Sequence, residues 1–557
     1  MSSGVWYAHV SDALHQYLHH TIRPDLPQPM SVKLARSAGL ISIATMASRL
    51  LGVAREMVLA AVFGASSGMQ MDAFNVAFRV PNLLRDLFAE GAMTAAFIPT
   101  FTRILTTRGR EAAWRLGNLV INALLVVTGT LVVVGIVFAQ PITHAIAPGF
   151  AAVPGKLELT TQLTRIMLPF LTTVAAAVAM MGMLNSLRRF FIPALSPAMF
   201  NVATIVCAFA LVPLMVGVGL PPIAAIAIGT LLGGLGQIAL QWPVLRSEGF
   251  RYRPILDFKD PDLREVLRLM GPGTLGLAAV QINVFVNTYL ATSQEEGAVS
   301  WLNVAFRLMY LPIGLFGVSI ATAVLPEVAR RANDGDIAGM RRSISGALRM
   351  MLMLNVPATI GLVALAHPIV ALLLQRGKFG PADTAATAAA LMFYAPGLLA
   401  YSVVKIASPS FYSLRDSRTP VTVSVISVLA NLAINLALVR VMGFRGLALG
   451  TALAATFNAG TLLWLLRRRL DGLEGRRVTI AFVKIACASV IMGFAAHYTF
   501  QWVAARVPPA GTLWRAIELA GAIAVGIAVL VASARVLRIA EFDEAFGRIL
   551  RRLRPAG

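Results

Sequence analysis

The chain has 557 residues, 57% hydrophobic and 13% charged, with a formal charge of +22; its mean hydropathy of +0.74 excludes an ordinary soluble protein and leaves length for many membrane crossings. The basic excess would suit nucleic acid, but its Lys and Arg fall in short clusters between apolar runs, which excludes a nucleic-acid-binding domain. Cys207 and Cys487 both sit inside apolar runs and read as small hydrophobes, not as a disulfide or metal pair.

Residues 1–33 form a polar extension, expected to be mobile. It holds His9, His15, His19 and His20 but lacks the basic-then-apolar order of a signal peptide. Four histidines without cysteine and with few carboxylates make a poor ligand set, so no metal site is expected. Taking about 20 apolar residues per crossing, the spans fall near 37–64, 71–102, 116–141, 160–186, 193–217 and 221–244, then 269–293, 298–328, 345–374, 384–411, 420–441, 444–466, 479–503 and 513–536. The expectation is an all-α polytopic membrane protein of fourteen helices. Its parts would be 34–250 and 251–470 with six spans each, 471–540 with two, and a basic tail at 541–557. Alternate loops carry 23 and 7 Lys and Arg, a bias that places both termini in the cytoplasm and accounts for most of the net charge.

An internal repeat supports this division. AFRVPNLLRDLF at 77–88 overlays AFRLMYLPIGLF at 305–316 with an offset of 228, and SLRRFFIP at 186–193 overlays SLRDSRTP at 413–420 with an offset of 227. The matches occupy the same order in each half, so the halves run in the same direction, as in transporters with parallel repeats and a substrate path between them.

The first two spans carry the charges that need explaining. Arg49, Arg55 and Glu56 lie in the first; Asp72, Arg79, Arg85, Asp86 and Glu90 lie in the second. An Arg or Asp at a helix centre costs roughly 3 kcal/mol to insert, so such groups face a wet cavity or a partner. At 3.6 residues per turn Asp72, Arg79 and Asp86 share one face with Glu90 and Asn82 close by, which would let the carboxylates neutralise Arg79, while Arg85 points elsewhere. In the second half Arg307, equivalent to Arg79, and Lys405 have no acidic residue near them within their own apolar runs. Unpaired cations there imply a water-filled, anion-selective chamber, and arginine suits phosphate because its planar fork donates two parallel hydrogen bonds. The alternative is that these charges pair across helices and only hold the bundle together.

No HExxH, phosphate-binding loop or nucleophile elbow is present, so a transporter without cofactor is expected and not an enzyme. APGF at 147–150 and RGKFGP at 376–381 read as connecting turns.

SRLLGVARE at 48–56, MDAFNVAFRVPNLLRDLFAEGAMTAAFIP at 71–99, APGF at 147–150, AFRLMYLPIGLFGVSIATAVLP at 305–326 and SPSFYSLRDSRTP at 408–420 closely resemble the MurJ (MviN) family of bacterial lipid II flippases. The resemblance implies the multidrug/oligosaccharidyl-lipid/polysaccharide exporter fold. Two six-helix lobes would surround a central cavity, and two C-terminal helices would border a groove for the polyprenyl tail. It implies Arg49, Arg55, Arg85 and Arg307 as cavity arginines, the expected pyrophosphate ligands, and Asp72 and Glu90 as the family's acidic positions; these two, with Arg79, Asn82, Asp86 and Lys405 from the charge pattern, are the expected secondary cavity or gating residues. The sequence departs from some members at Asp86, where they carry a second basic residue, and at Tyr310, where they carry Glu. Spans 269–293 and 420–441 contain no Asp or Glu, so the sodium site of some members is not implied. The expected partners are lipid II (undecaprenyl-pyrophosphate-linked MurNAc-pentapeptide-GlcNAc), the bacterial inner-membrane bilayer and cell-wall synthesis enzymes. Rival readings are a flippase for another polyprenyl-linked glycan, a cation-coupled drug antiporter of the same superfamily, and a non-transporting scaffold for cell-wall enzymes.

Overall fold

A computed structural model describes residues 32–87, 92–506 and 511–542. The expected extension up to residue 31, Glu90 and the tail beyond Phe542 lie outside these residues. Every regular element among the described residues is helical. In the first half the helices are α1 (Val32–Phe63), α2 (Gln70–Arg85), α3 (Ala92–Thr107), α4 (Gly109–Val137), α5 (Ala139–Ile146), α6 (Lys156–Met167), α7 (Phe170–Ser186), α8 (Phe191–Leu195), α9 (Ala198–Gly217) and α10 (Ala224–Ser247). The second half contains α11 (Pro261–Thr292), α12 (Ala298–Pro312), α13 (Val318–Asn333), α14 (Ile337–Ala364), α15 (Ala366–Leu374), α16 (Pro381–Ser413), α17 (Arg418–Met442) and α18 (Phe444–Arg469). Two long helices follow, α19 (Gly475–Arg506) and α20 (Gly511–Val536).

Ten stretches among the described residues are long and apolar enough to cross a membrane. The other four expected spans involve α1, α2 with α3, α11, and α12 with α13; α2, α3, α12 and α13 are each at most 16 residues long. Two of these spans are not single α-helices. α2 passes into a π turn at Asp86–Leu87, and α12 into one at Ile313–Gly317. The two breaks coincide when shifted by the repeat offset. A π turn inserts a residue into the hydrogen-bond ladder and kinks the helix locally.

Three apolar clusters define the packing. Phe97, Phe101, Leu116, Phe170, Met183 and Phe250 fill the first half, where Gly233 lets α10 approach α9 so closely that a Cβ there would lie 2.7 Å from the Phe200 backbone. Val328, Met351, Phe411 and Leu466 join α13, α14, α16 and α18. A third cluster draws on both halves, with Ala60, Val76 and Phe150 against Trp301, Met309, Leu391 and Phe444. α19 and α20 pack on α14 through Ile485, Ala488 and Ala534 against Leu352 and Val356. Their remaining faces expose Phe494, Tyr498, Trp502 and Ile527, the composition expected of a surface facing lipid chains.

α11 joins the halves. Asp260 caps it by accepting from Asp262 N (3.0 Å) and Leu263 N (3.2 Å), with Pro261 in the first turn. That end is tied to the first half by Arg108–Asp262 (2.5 Å), Arg115–Asp260 (3.2 Å) and an Arg103–Glu265 pair. The far end belongs to the second half: Asn435 of α17 donates to Asn287 of α11 (2.6 Å).

Candidate functional site

The charged residues gather into two groups at different depths. In the inner group, Glu56 of α1 is the shared partner of Arg55 and Arg307. Arg307 therefore has a counter-charge after all, supplied by the other half of the chain, where sequence alone sees only its own apolar run. The Arg55 guanidinium lies over the Phe200 ring, 4.9 Å from its centroid, and its Nε is buried without a partner. Arg49 of α1 reaches the π turn of α12, where a Cβ on Gly314 would sit 2.6 Å from its Nη1. The Arg307 side chain is 40% exposed, so one carboxylate balances two guanidinium groups, one of which stays open to solvent.

Asp86 does not neutralise Arg79 as the helix phase suggested. It accepts from Arg85 Nη2 (2.9 Å) and Nε (3.2 Å), from Gln281 of α11 (3.0 Å) and from Asn82 (3.4 Å). Asp86 keeps the α-helical bond to Asn82 O, so it shares the face of Arg79 but stands two turns, about 10 Å, further along the axis, where its neighbours are Arg85 and Asn82. Arg79 is half-buried and, among the described residues, forms no ion pair; Arg307 and Asp86 are charges within its electrostatic reach. Arg49, Arg55, Arg79 and Arg307 thus converge from α1, α2 and α12, with Arg85 lower on α2. Lys405 is an exposed residue of α16 with no ion pair among the described residues, and nothing brings it to the arginines.

Asp72 belongs to the other group. It is 1% exposed and accepts from Gly297 N (2.9 Å), Ser300 N (3.0 Å), Ser300 Oγ (2.7 Å) and Lys156 Nζ (3.1 Å). It joins the first half to the start of α12 and, among the described residues, pairs with no arginine. Asp72 and Ser300 are separated by the repeat offset, as are Asn75 and Asn303, which meet at 3.4 Å. Lys156 is itself buried, over the Phe150 ring at 4.3 Å.

The two connecting turns also lie in this seam. Lys378 N donates to Ala61 O (2.9 Å), and a Cβ on Gly149 would lie 2.4 Å from Thr292 O. All these contacts are on the Arg-poor side. Gly377 has φ +58°, and a Cβ there would lie 2.1 Å from Ala61 O, an overlap with backbone that no rotamer relieves. Gly377→Ala should therefore part the seam. The expected result is labelling of Val76→Cys, in a chain carrying Cys207→Ser and Cys487→Ser, by a membrane-impermeant maleimide about tenfold faster, equivalent to 1.4 kcal/mol; an unchanged rate would show that the seam tolerates the methyl.

Glu56, Lys156, Asp383 and Gln281 were not among the residues that sequence reasoning picked out for the site. Glu56 had a signal, its adjacency to Arg55. Lys156 meets Asp72 within the first half, 84 positions away, and Asp383 and Gln281 act across the interface between the halves, so no local pattern marks them.

The profile of the family described as Lipid II flippase MurJ matches residues 59–511. A Vibrio cholerae protein described as a probable lipid II flippase MurJ is 34% identical over 517 residues, covering 90% of this chain and 96% of that protein. A solved structure titled Lipid II flippase MurJ, inward closed conformation, superposes with a TM-score of 0.73 at 26% identity, covering 91% of this chain and 99% of that one. An inward-facing multidrug resistance MATE family transporter shares the fold, with a TM-score of 0.64 at 17% identity, covering 79% of this chain and 99% of that one. With the family profile matched over most of its length and relatives matched nearly end to end, the chain belongs to the lipid II flippase MurJ family.

Proposed function

We propose that the protein moves lipid II from the cytoplasmic to the outer leaflet of the bacterial inner membrane by alternating access. In this reading fourteen helices cross the bilayer, both termini are cytoplasmic, and two six-helix lobes move about the seam. Two guanidinium groups from opposite halves meeting on one carboxylate, Arg55 and Arg307 on Glu56, carry the argument.

A pyrophosphate is a better partner for two arginines than one carboxylate, because its several anionic oxygens accept parallel hydrogen bonds from both forks. Binding would displace Glu56 and draw α1 and α12 onto the same anion, with Arg49, Arg79 and Arg85 supplying further positive charge. The chamber is closed by the Arg-poor seam, so cargo enters from the Arg-rich side, which the charge bias identifies as cytoplasmic. The polyprenyl tail stays in lipid, since taking it through water would forfeit about 0.8 kcal/mol per CH₂. An anion moving outward gains roughly 2.3 kcal/mol per charge per 100 mV of inside-negative potential, a sufficient source of drive for a chain with no nucleotide-binding motif.

The test is the exposure of lipid II on the outer leaflet of cells depleted of this protein and of any redundant flippase. Depletion should trap lipid II inside, and the wild-type chain should restore exposure. Unchanged exposure would move the assignment to another polyprenyl-linked glycan.

A further inference from the structure

Asp72 has a counterpart that neither the sequence motifs nor the arginine chamber accounts for. Asp383, in the first turn of α16, is 2% exposed. It accepts from Ala65 N (3.1 Å), Ser66 N (3.0 Å) and Ser66 Oγ (2.6 Å) in the turn between α1 and α2, and from the Trp301 indole N–H (2.9 Å) of α12.

The two carboxylates are arranged reciprocally. Asp72 stands on the first half and accepts from the start of α12 in the second. Asp383 stands on the second half and accepts from the α1–α2 turn in the first. Each also has one donor in its own half, Lys156 for Asp72 and Trp301 for Asp383. Shifting Asp383 back by the repeat offset gives Gly155, beside Lys156, so the two bolts use corresponding corners of the repeat. They differ in charge: Asp72 is held by a cation, whereas Asp383 has neutral donors and no ion pair among the described residues.

We propose that Asp383 is the second bolt of the gate on the Arg-poor side. Trp301 orients its carboxylate, which holds the α1–α2 turn of the opposite half until that turn is released during transport. When the seam parts, Asp72 leaves with Lys156, and Asp383 leaves as a carboxylate without a cation. The gate therefore bares an uncompensated carboxylate at its rim only when open, which disfavours the return of an anionic headgroup. This consequence rests on the flippase reading; the bolt itself does not.

The test needs no cargo. In full-length protein with Cys207→Ser and Cys487→Ser, Val76→Cys reports on the apolar cluster behind the seam, and Tyr310→Cys reports on the exposed part of α12 next to Arg307. With membrane-impermeant maleimide applied to one face of sealed vesicles, Asp383→Ala should speed labelling of Val76→Cys from the Arg-poor side by about tenfold. It should also slow labelling of Tyr310→Cys from the other side, because a population shift that opens one face closes the other. Unchanged labelling at Val76→Cys overturns the proposal, as does a rise at both positions, which reports general loosening. If Asp383→Ala does not fold, Ser66→Ala removes one inter-half donor and retains the carboxylate; an unchanged rate in that variant overturns the proposal equally. Failure of lipid II transport to depend on this protein would leave the labelling result intact, so the two readings fail separately.

Discussion

Arg307→Ala should abolish most lipid II export while leaving the protein folded. Loss of one guanidinium from a desolvated contact with an anion costs about 2–5 kcal/mol, or roughly thirty-fold to several thousand-fold in rate if the contact persists at the rate-limiting step. The fold should survive because Arg307 is 40% exposed and its partner Glu56 keeps Arg55, so no carboxylate is stranded. Export measured as outer-leaflet lipid II, set beside a melting temperature close to wild type, separates the two effects. Arg307→Lys should be intermediate, since an ammonium retains the charge but not the two-pronged geometry. Export at the wild-type level in Arg307→Ala would remove Arg307 from the cargo site and favour a bundle held together by paired charges.

The second large effect is on stability. Asp72→Ala leaves Lys156, 2% exposed, without its carboxylate, and strips the acceptor from Gly297 N, Ser300 N and the Ser300 hydroxyl. Breaking a buried pair by removing one partner costs about 3–5 kcal/mol, whereas replacing both partners by apolar groups is often neutral. Asp72→Ala should therefore lower the melting temperature in lipid-containing detergent, and the double variant Asp72→Ala/Lys156→Met should recover much of the loss. A double variant no more stable than Asp72→Ala would mean that the backbone donors of α12, and not the buried cation, set the cost.

The helix ends near the expected span limits were readable because bilayer thickness selects apolar runs of nearly fixed length. The breaks within the second and eighth expected spans were not readable: Pro81 and Pro312 mark local irregularity, but a π turn is an alternative hydrogen-bond pairing that composition does not encode. The same limit affected the charges. Helix phase placed Asp72, Arg79 and Asp86 on one stripe, yet Asp72 is spent at the seam, Asp86 pairs with Arg85, and the carboxylate nearest the chamber is Glu56. The connecting turns APGF and RGKFGP gave no hint of their second role, because a turn that only connects and a turn that docks use the same residues.

What the sequence determined by itself is what depends on local composition and on motif: a helical membrane chain, a repeat with an offset near 228, a charge bias between its two faces, and membership of a family recognisable from the second-helix motif. What only the tertiary structure decided is which charge meets which. The ion pair between α1 and α12 and the hydrogen bonds between α2 and the start of α12 join residues more than two hundred positions apart, and their energies depend on distance and burial that no spacing along the chain records. The repeat supplies two copies of each corner, and packing the halves against each other gathered Arg55 and Arg307 on Glu56 at one set and gave Asp72 and Asp383 reciprocal partners at the other.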